Sequence, residues 1–158
     1  MLKNTDLMGD RMKEFIGKSA MIYCDYTVFL NESFELFREN NSAIFKETGV
    51  KLNIPQPVVD ELKAVPMSRM DDYVLCCQGL ERIAYVQDEG IAVITDGEGY
   101  SEEYFYRLCE QSEEDIIVMT NDIQLVSELA DICASSGKAE GFLTVLEIEE
   151  NGMVHRLR

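Results

Sequence analysis

The chain has 158 residues, 46% hydrophobic and 28% charged, the composition of a folded globular protein rather than a disordered one. No apolar run approaches the roughly 20 residues that cross a bilayer, and the N-terminus MLKNTDLMGDRMKEF mixes charges of both signs, unlike a secretory signal, so a cytoplasmic protein is expected. The net charge of −16, from 30 acids and 14 bases, repels a phosphate backbone and argues against a broad basic face for nucleic acid. A divalent cation would invert that field locally.

One domain is the economical reading for this length. Residues 1–19 read as an N-terminal extension with a short helix near 7–17, residues 20–150 as the domain, and residues 151–158 as a frayed tail. Five cysteines do not make a disulfide framework, and the adjacent Cys76 and Cys77 cannot form a C-x-x-C pair. All five are expected to be buried, reduced thiols. The single histidine, His155, lies in the expected tail, so chemistry here must run on carboxylates, hydroxyls or a bound metal.

In chain order, AMIYC (20–24) is a short buried run ending at Asp25. ESFELFRENNSAIFKETG spaces Phe34, Phe37, Ile44 and Phe45 for a helix that stops at Gly49. VKLNI (50–54) reads as a strand. PQPVVDELKAV starts a helix at Pro57, with Val58, Val59, Leu62 and Val65 on one face. Residues 70–88 carry a helical apolar stripe closed by Gly90, and IAVIT (91–95) is the next strand. DGEGYS breaks the chain, with Ser101 as the expected N-cap of a helix through Tyr104, Phe105, Leu108 and Cys109. DIIVMT (115–120) is the clearest strand. A helix from Leu125 to Cys133 and a strand GFLTVLEI (141–148) follow.

Strands alternating with helices imply an α/β fold, a three-layer α/β/α sandwich around a central, mostly parallel five-stranded sheet. Ligands bind such sheets outside the carboxyl ends of the strands, so the acids there are the informative ones. Asp25 follows the first strand, Asp96 the third and Asp122 the fourth. Glu61 lies one turn into the helix after the second, and Glu102 and Glu103 open the helix after the third. Carboxylates gathered at one rim repel one another unless a hard cation lies between them, and oxygen-only ligands suit Mg²⁺ or Mn²⁺.

These pieces resemble a PIN domain, a metal-dependent nuclease fold. An aspartate ends the first strand in YCDYTVFL, a glutamate sits in IPQPVVDELKAV, and a later strand ends in Thr-Asn-Asp in IIVMTNDIQL. The resemblance runs over roughly residues 20–148, and PVVDEL and VMTNDIQL are its most specific parts. It implies Asp25, Glu61, Glu103 and Asp122 as metal ligands and catalytic acids. Glu102 and Asp96 are alternatives for the acid that here departs from the family's usual aspartate. Thr27, Thr120 and Asn121 would orient the acids.

The activity so implied is endonucleolytic cleavage of single-stranded RNA with Mg²⁺ or Mn²⁺. Lys51, Lys63, Arg69, Arg82 and Arg107 are too scattered to trace an RNA path, so RNA would be held at the metal or by a partner protein supplying basic surface. Some members of the family are toxins paired with an antitoxin, and many form homodimers. Two other readings stand beside this one. The first is a PIN-like binding or regulatory module with an incomplete site. The second is a haloacid-dehalogenase-like phosphatase, suggested by the D-x-T of MIYCDYTVFL; it would need an acid where Thr27 stands and a lysine that residues 88–122 lack.

Overall fold

A computed structural model describes residues 12, 13, 15, 16 and 21–158. Six strands form one mixed sheet: β1 (Met21–Cys24), β2 (Leu52–Pro55), β3 (Ala92–Thr95), β4 (Ile116–Met119), β5 (Leu143–Ile148) and β6 (Val154–Arg156). Six helices accompany them over residues 21–158: α1 (Tyr26–Leu30), α2 (Phe34–Thr48), α3 (Gln56–Ala64), α4 (Met70–Asp88), α5 (Ser101–Gln111) and α6 (Ile123–Ser135). The strand order is β3-β2-β1-β4-β5-β6. β1 to β5 are parallel and β6 runs antiparallel to β5.

The sheet therefore has six strands, not the expected five, and is antiparallel at one edge. The difference comes from the segment read as a frayed tail. Asn151 and Gly152 form a turn after β5, in which the Asn151 side-chain oxygen accepts from the Met153 N–H at 2.9 Å. Ile148 then pairs with Val154, and Val154 is buried. The short helix expected near 7–17 falls mostly outside the described residues. Met12, Lys13, Phe15 and Ile16 are helical, with Met12 and Ile16 packed into the core.

The central strands are short and apolar because both faces are covered; all four residues of β4 are buried. Four phenylalanines fix the elements that follow β1. Phe29, Phe34, Phe37 and Phe45 are at most 1% exposed, and successive ring centroids lie 5.1, 5.8 and 6.3 Å apart. Each contributes about 1.5–3 kcal/mol through burial, so α1 and α2 are pinned close behind the end of β1. Cys24, Cys76, Cys109 and Cys133 are buried free thiols as expected, whereas Cys77 is only half-buried. Among the described residues no helix is long and apolar enough to cross a membrane.

Candidate functional site

From β1 the chain passes through α1 and α2 to β2 on one side; from β4 it passes through α6 to β5 on the other. The strand order thus reverses between β1 and β4, and an open parallel sheet has its ligand crevice beyond the carboxyl ends at such a point. Asp25 and Asp122 stand there. β1 and β4 are in register from Met21 opposite Ile116 to Cys24 opposite Met119, and the Asp25 N–H continues the ladder to the Met119 carbonyl at 3.0 Å.

Asp25 is 2% exposed. Its Oδ2 accepts from the Thr27 hydroxyl at 2.8 Å and the Thr120 hydroxyl at 2.9 Å. Each hydroxyl has one proton, so with both directed at Asp25 the 3.2 Å approach of the two hydroxyl oxygens is a contact and not a third bond. Their lone pairs are occupied as well. Thr27 Oγ1 accepts from the Asn121 N–H at 2.9 Å, and Thr120 Oγ1 from the Asp122 N–H at 3.0 Å. The D-x-T after β1 and the T-N-D after β4 are two halves of one network. Burial raises the Asp25 carboxyl pKa, and the hydroxyl bonds from Thr27 and Thr120 oppose that rise.

The other expected residues are held by different partners. Asp122 caps α6, its Oδ1 accepting from the Gln124 N–H at 3.0 Å and the Leu125 N–H at 3.3 Å. Asn121 donates from Nδ2 to the Ile148 carbonyl at 2.9 Å, and its backbone N–H serves Thr27. Glu61 reaches from α3 to the start of α5, where Oε2 accepts from the Ser101 N–H at 2.6 Å and Oε1 from the Ser101 hydroxyl at 2.9 Å. Tyr100, not Ser101, is the N-cap of α5, and it makes no side-chain cap bond. Glu61 fills that place from forty residues upstream, with its charge at the positive end of the helix dipole. Ser101 is thus a residue of the site, which its identity as a helix-start serine concealed.

Glu102 and Glu103 diverge. Glu103 pairs with Arg107 one turn on, at 3.9 Å on an exposed surface. Glu102 lies towards Tyr106, 3.4 Å from its hydroxyl, and the same hydroxyl donates to Glu128 at 3.0 Å. Burial and the Glu128 bond push the Tyr106 phenol up to about 12. Asp96 is exposed beyond β3, two strands away from β1.

Tyr26 shows which acids are neighbours. Its phenol pKa is raised first by burial, then by the charges of Asp25, Asp122, Glu61 and Glu102. Of the two acids that open α5, Glu102 is the one whose charge acts on the Tyr26 phenol. Among the described residues, no ion pair engages any of the four.

No protein-family model and no curated protein sequence matches this chain. The donors are carboxylates, the kind that a hard divalent cation takes. Their positions are less complete: among the described residues no three His, Cys, Asp or Glu side chains lie close enough to hold one ion. Beside the acids, Tyr26 and Glu61 also wall a cavity of about 310 Å³ between α1, α3 and α4, which Leu30, Leu62, Val65 and Leu75 help to close.

The network makes Thr120 a sensitive position. Thr120→Val, at a fully buried position, removes one of the two hydroxyl donors to Asp25 and leaves the half-buried Asp122 N–H without its acceptor. The expected loss is about 1–3 kcal/mol, the cost of stranding a buried polar group. Urea unfolding of the variant beside wild type measures it.

Proposed function

We propose that the crevice between β1 and β4 is the divalent-cation site of a PIN-like, three-layer α/β/α phosphodiesterase that cuts single-stranded RNA. One observation carries this reading: Asp25, a buried carboxylate without a cationic partner among the described residues, stands at the strand-order reversal and is joined through the Thr120 hydroxyl to Asp122 beyond the neighbouring strand. Burying a lone carboxylate is costly, and the excess negative charge at this rim supports a cation as the missing partner.

Asp25, Asp122, Glu61 and Glu102 are the residues that would hold Mg²⁺ or Mn²⁺. Asp25 is the fixed member, immobilised by Thr27 and Thr120. Asp122 keeps Oδ2 free of the helix cap made by Oδ1. Glu61 would have to exchange at least one Ser101 bond for the ion. A bound divalent cation would polarise a phosphodiester and lower the pKa of water. The cavity behind Tyr26 offers room for a substrate group beside the acids. With a net charge of −16, the protein would hold RNA through the ion and through a partner supplying basic surface.

A second reading has its own observation. Both Glu61 oxygens are bonded to Ser101 and, among the described residues, no three acids share ligand distance, as suits a PIN-like module that binds without cutting. The two separate on one experiment. On the catalytic reading Mn²⁺ raises the melting temperature, by about 2.7 kcal/mol of added stability at a hundredfold excess over Kd, and drives cleavage of a fluorogenic single-stranded RNA. Glu102→Gln loses the cleavage and Glu103→Gln keeps it. An unchanged melting temperature with no cleavage leaves the non-catalytic module.

A further inference from the structure

A second cavity lies at the opposite end of the sheet. It measures about 460 Å³ and is lined by Cys133 at the end of α6, Lys138, Glu140 and Leu143 leading into β5, and Arg156 and Arg158 of the final segment. Leu143 opposes Ile116 at the start of β4, so the cavity sits at the amino ends of the parallel strands, away from the acids that follow their carboxyl ends.

Its charge runs against the rest of the molecule. In a chain with 14 bases and 30 acids, Arg38, Lys46, Arg69, Arg82 and Arg107 each meet a carboxylate. Lys51, Lys63, Lys138, Arg156 and Arg158 meet none among the described residues, and the last three of these line one cavity whose single acidic side chain is Glu140. The Lys138 ammonium donates to the Ser112 carbonyl at 2.8 Å and lies 4.8 Å from the centre of the Phe142 ring. The negative end of the α6 dipole accounts for a cation near Cys133. It does not account for two arginines arriving from another element.

Those arginines are placed by the backbone. The Val145 N–H donates to the Arg158 carbonyl at 2.8 Å, and the Leu157 N–H to the Val145 carbonyl at 2.8 Å. Positions 156 and 158, two apart in extended chain, present their side chains to one face. Three cations on the wall of one cavity, the two arginines open to solvent, make a local excess of positive charge that an anion would offset. Two guanidiniums and an ammonium form a donor set suited to the oxygens of a phosphate.

We infer that this cavity is a binding site for a phosphate group, with Arg156, Arg158 and Lys138 as its donors. It is separate from the acidic crevice and does not depend on the metal reading. A free phosphate anion and the 5′-phosphate of an oligonucleotide share this chemistry.

Calorimetric titration of the whole protein in EDTA, with inorganic phosphate, pyrophosphate, and a short oligonucleotide with or without a 5′-phosphate, tests the site. Saturable binding of phosphate or pyrophosphate identifies a free anion as ligand; binding confined to the 5′-phosphorylated oligonucleotide identifies a nucleic-acid end. In either case, Arg156→Gln combined with Arg158→Gln is expected to raise Kd by about tenfold or more, the effect of losing charge-assisted hydrogen bonds. Lys63→Gln with Arg107→Gln, an equal change of charge elsewhere, leaves Kd unaltered. Cys133 in the cavity wall gives a second readout: bound ligand slows its alkylation by iodoacetamide. No saturable binding in any arm overturns the site, as does a double arginine variant that binds like wild type.

Discussion

Asp25→Asn is expected to abolish Mn²⁺-dependent cleavage and, with metal absent, to raise the melting temperature at neutral pH. The two effects have one cause. Asp25 is buried, and desolvation is the largest influence on its carboxyl, raising the pKa above the ordinary value of 3.8. A folded-state pKa above the unfolded one means that the group contributes stability below the unfolded pKa and loses it as pH rises through the folded pKa. At neutral pH the ionised carboxylate is therefore a net burden on the metal-free fold. Asparagine retains an oxygen to accept from Thr27 and Thr120 and removes the charge. Thermal melts in EDTA should show variant and wild type drawing apart as pH rises from 4 to 8. With Mn²⁺ the ranking reverses, because wild type gains the ion and the variant does not. Cleavage should fall by about a hundredfold or more, at least the effect of disturbing residues behind a metal ligand. A variant less stable than wild type in EDTA at neutral pH would instead make the Asp25 charge a structural anchor of the threonine network.

The acids at the β1 and β4 ends were legible in the sequence because short apolar runs mark buried strands, with Asp25 directly after one and Asp122 three residues beyond the end of the other. That these two strands are neighbours is a matter of strand order, which no local pattern carries. Glu61 was legible as a position but not as a contact. Its partner Ser101 has the residue type of an N-cap, and nothing local indicates that a carboxylate forty residues upstream satisfies that helix start. The choice between Glu102 and Glu103 turns on helix phase. Adjacent helical residues point about 100° apart, and the buried stripe of Ser101, Phe105 and Cys109 sets the inward direction. Glu103 falls one turn before Arg107, which draws it outward.

Two elements escaped for reasons of propensity. YTVFL, aromatic and β-branched, favours a strand by composition, yet it forms α1 because Phe29 must pack against Phe34. The last segment, short and charged, lacks the alternation that marks a strand. It pairs because the turn before it is docked on another element. That docking is invisible in a sequence, and it leads to the second large effect.

Gly152→Ala is expected to destabilise the protein by about 2–5 kcal/mol, combining the strain of a disfavoured backbone conformation with overpacking. Gly152 has φ +80°, a region that residues with a Cβ enter at a cost. An added Cβ would also lie 2.6 Å from Leu36 Cβ, 2.9 Å from the Leu36 carbonyl carbon and 2.9 Å from the Phe37 nitrogen. Two of these atoms are helix backbone, so no rotamer change relieves the clash. The turn cannot easily withdraw, since the Ser33 hydroxyl donates to the Glu150 carbonyl at 3.0 Å and Asn31 Nδ2 to the Ile148 carbonyl at 3.1 Å. Gly137→Ala separates the two contributions. Gly137 also has positive φ, at +69°, but nothing lies within 4 Å of its added Cβ, so that variant should lose only about 1 kcal/mol. Denaturant unfolding of both variants measures the difference as the clash alone. Equal losses would mean that the β5–β6 turn yields without cost, and that β6, with the arginines it carries, is not held in place by α2.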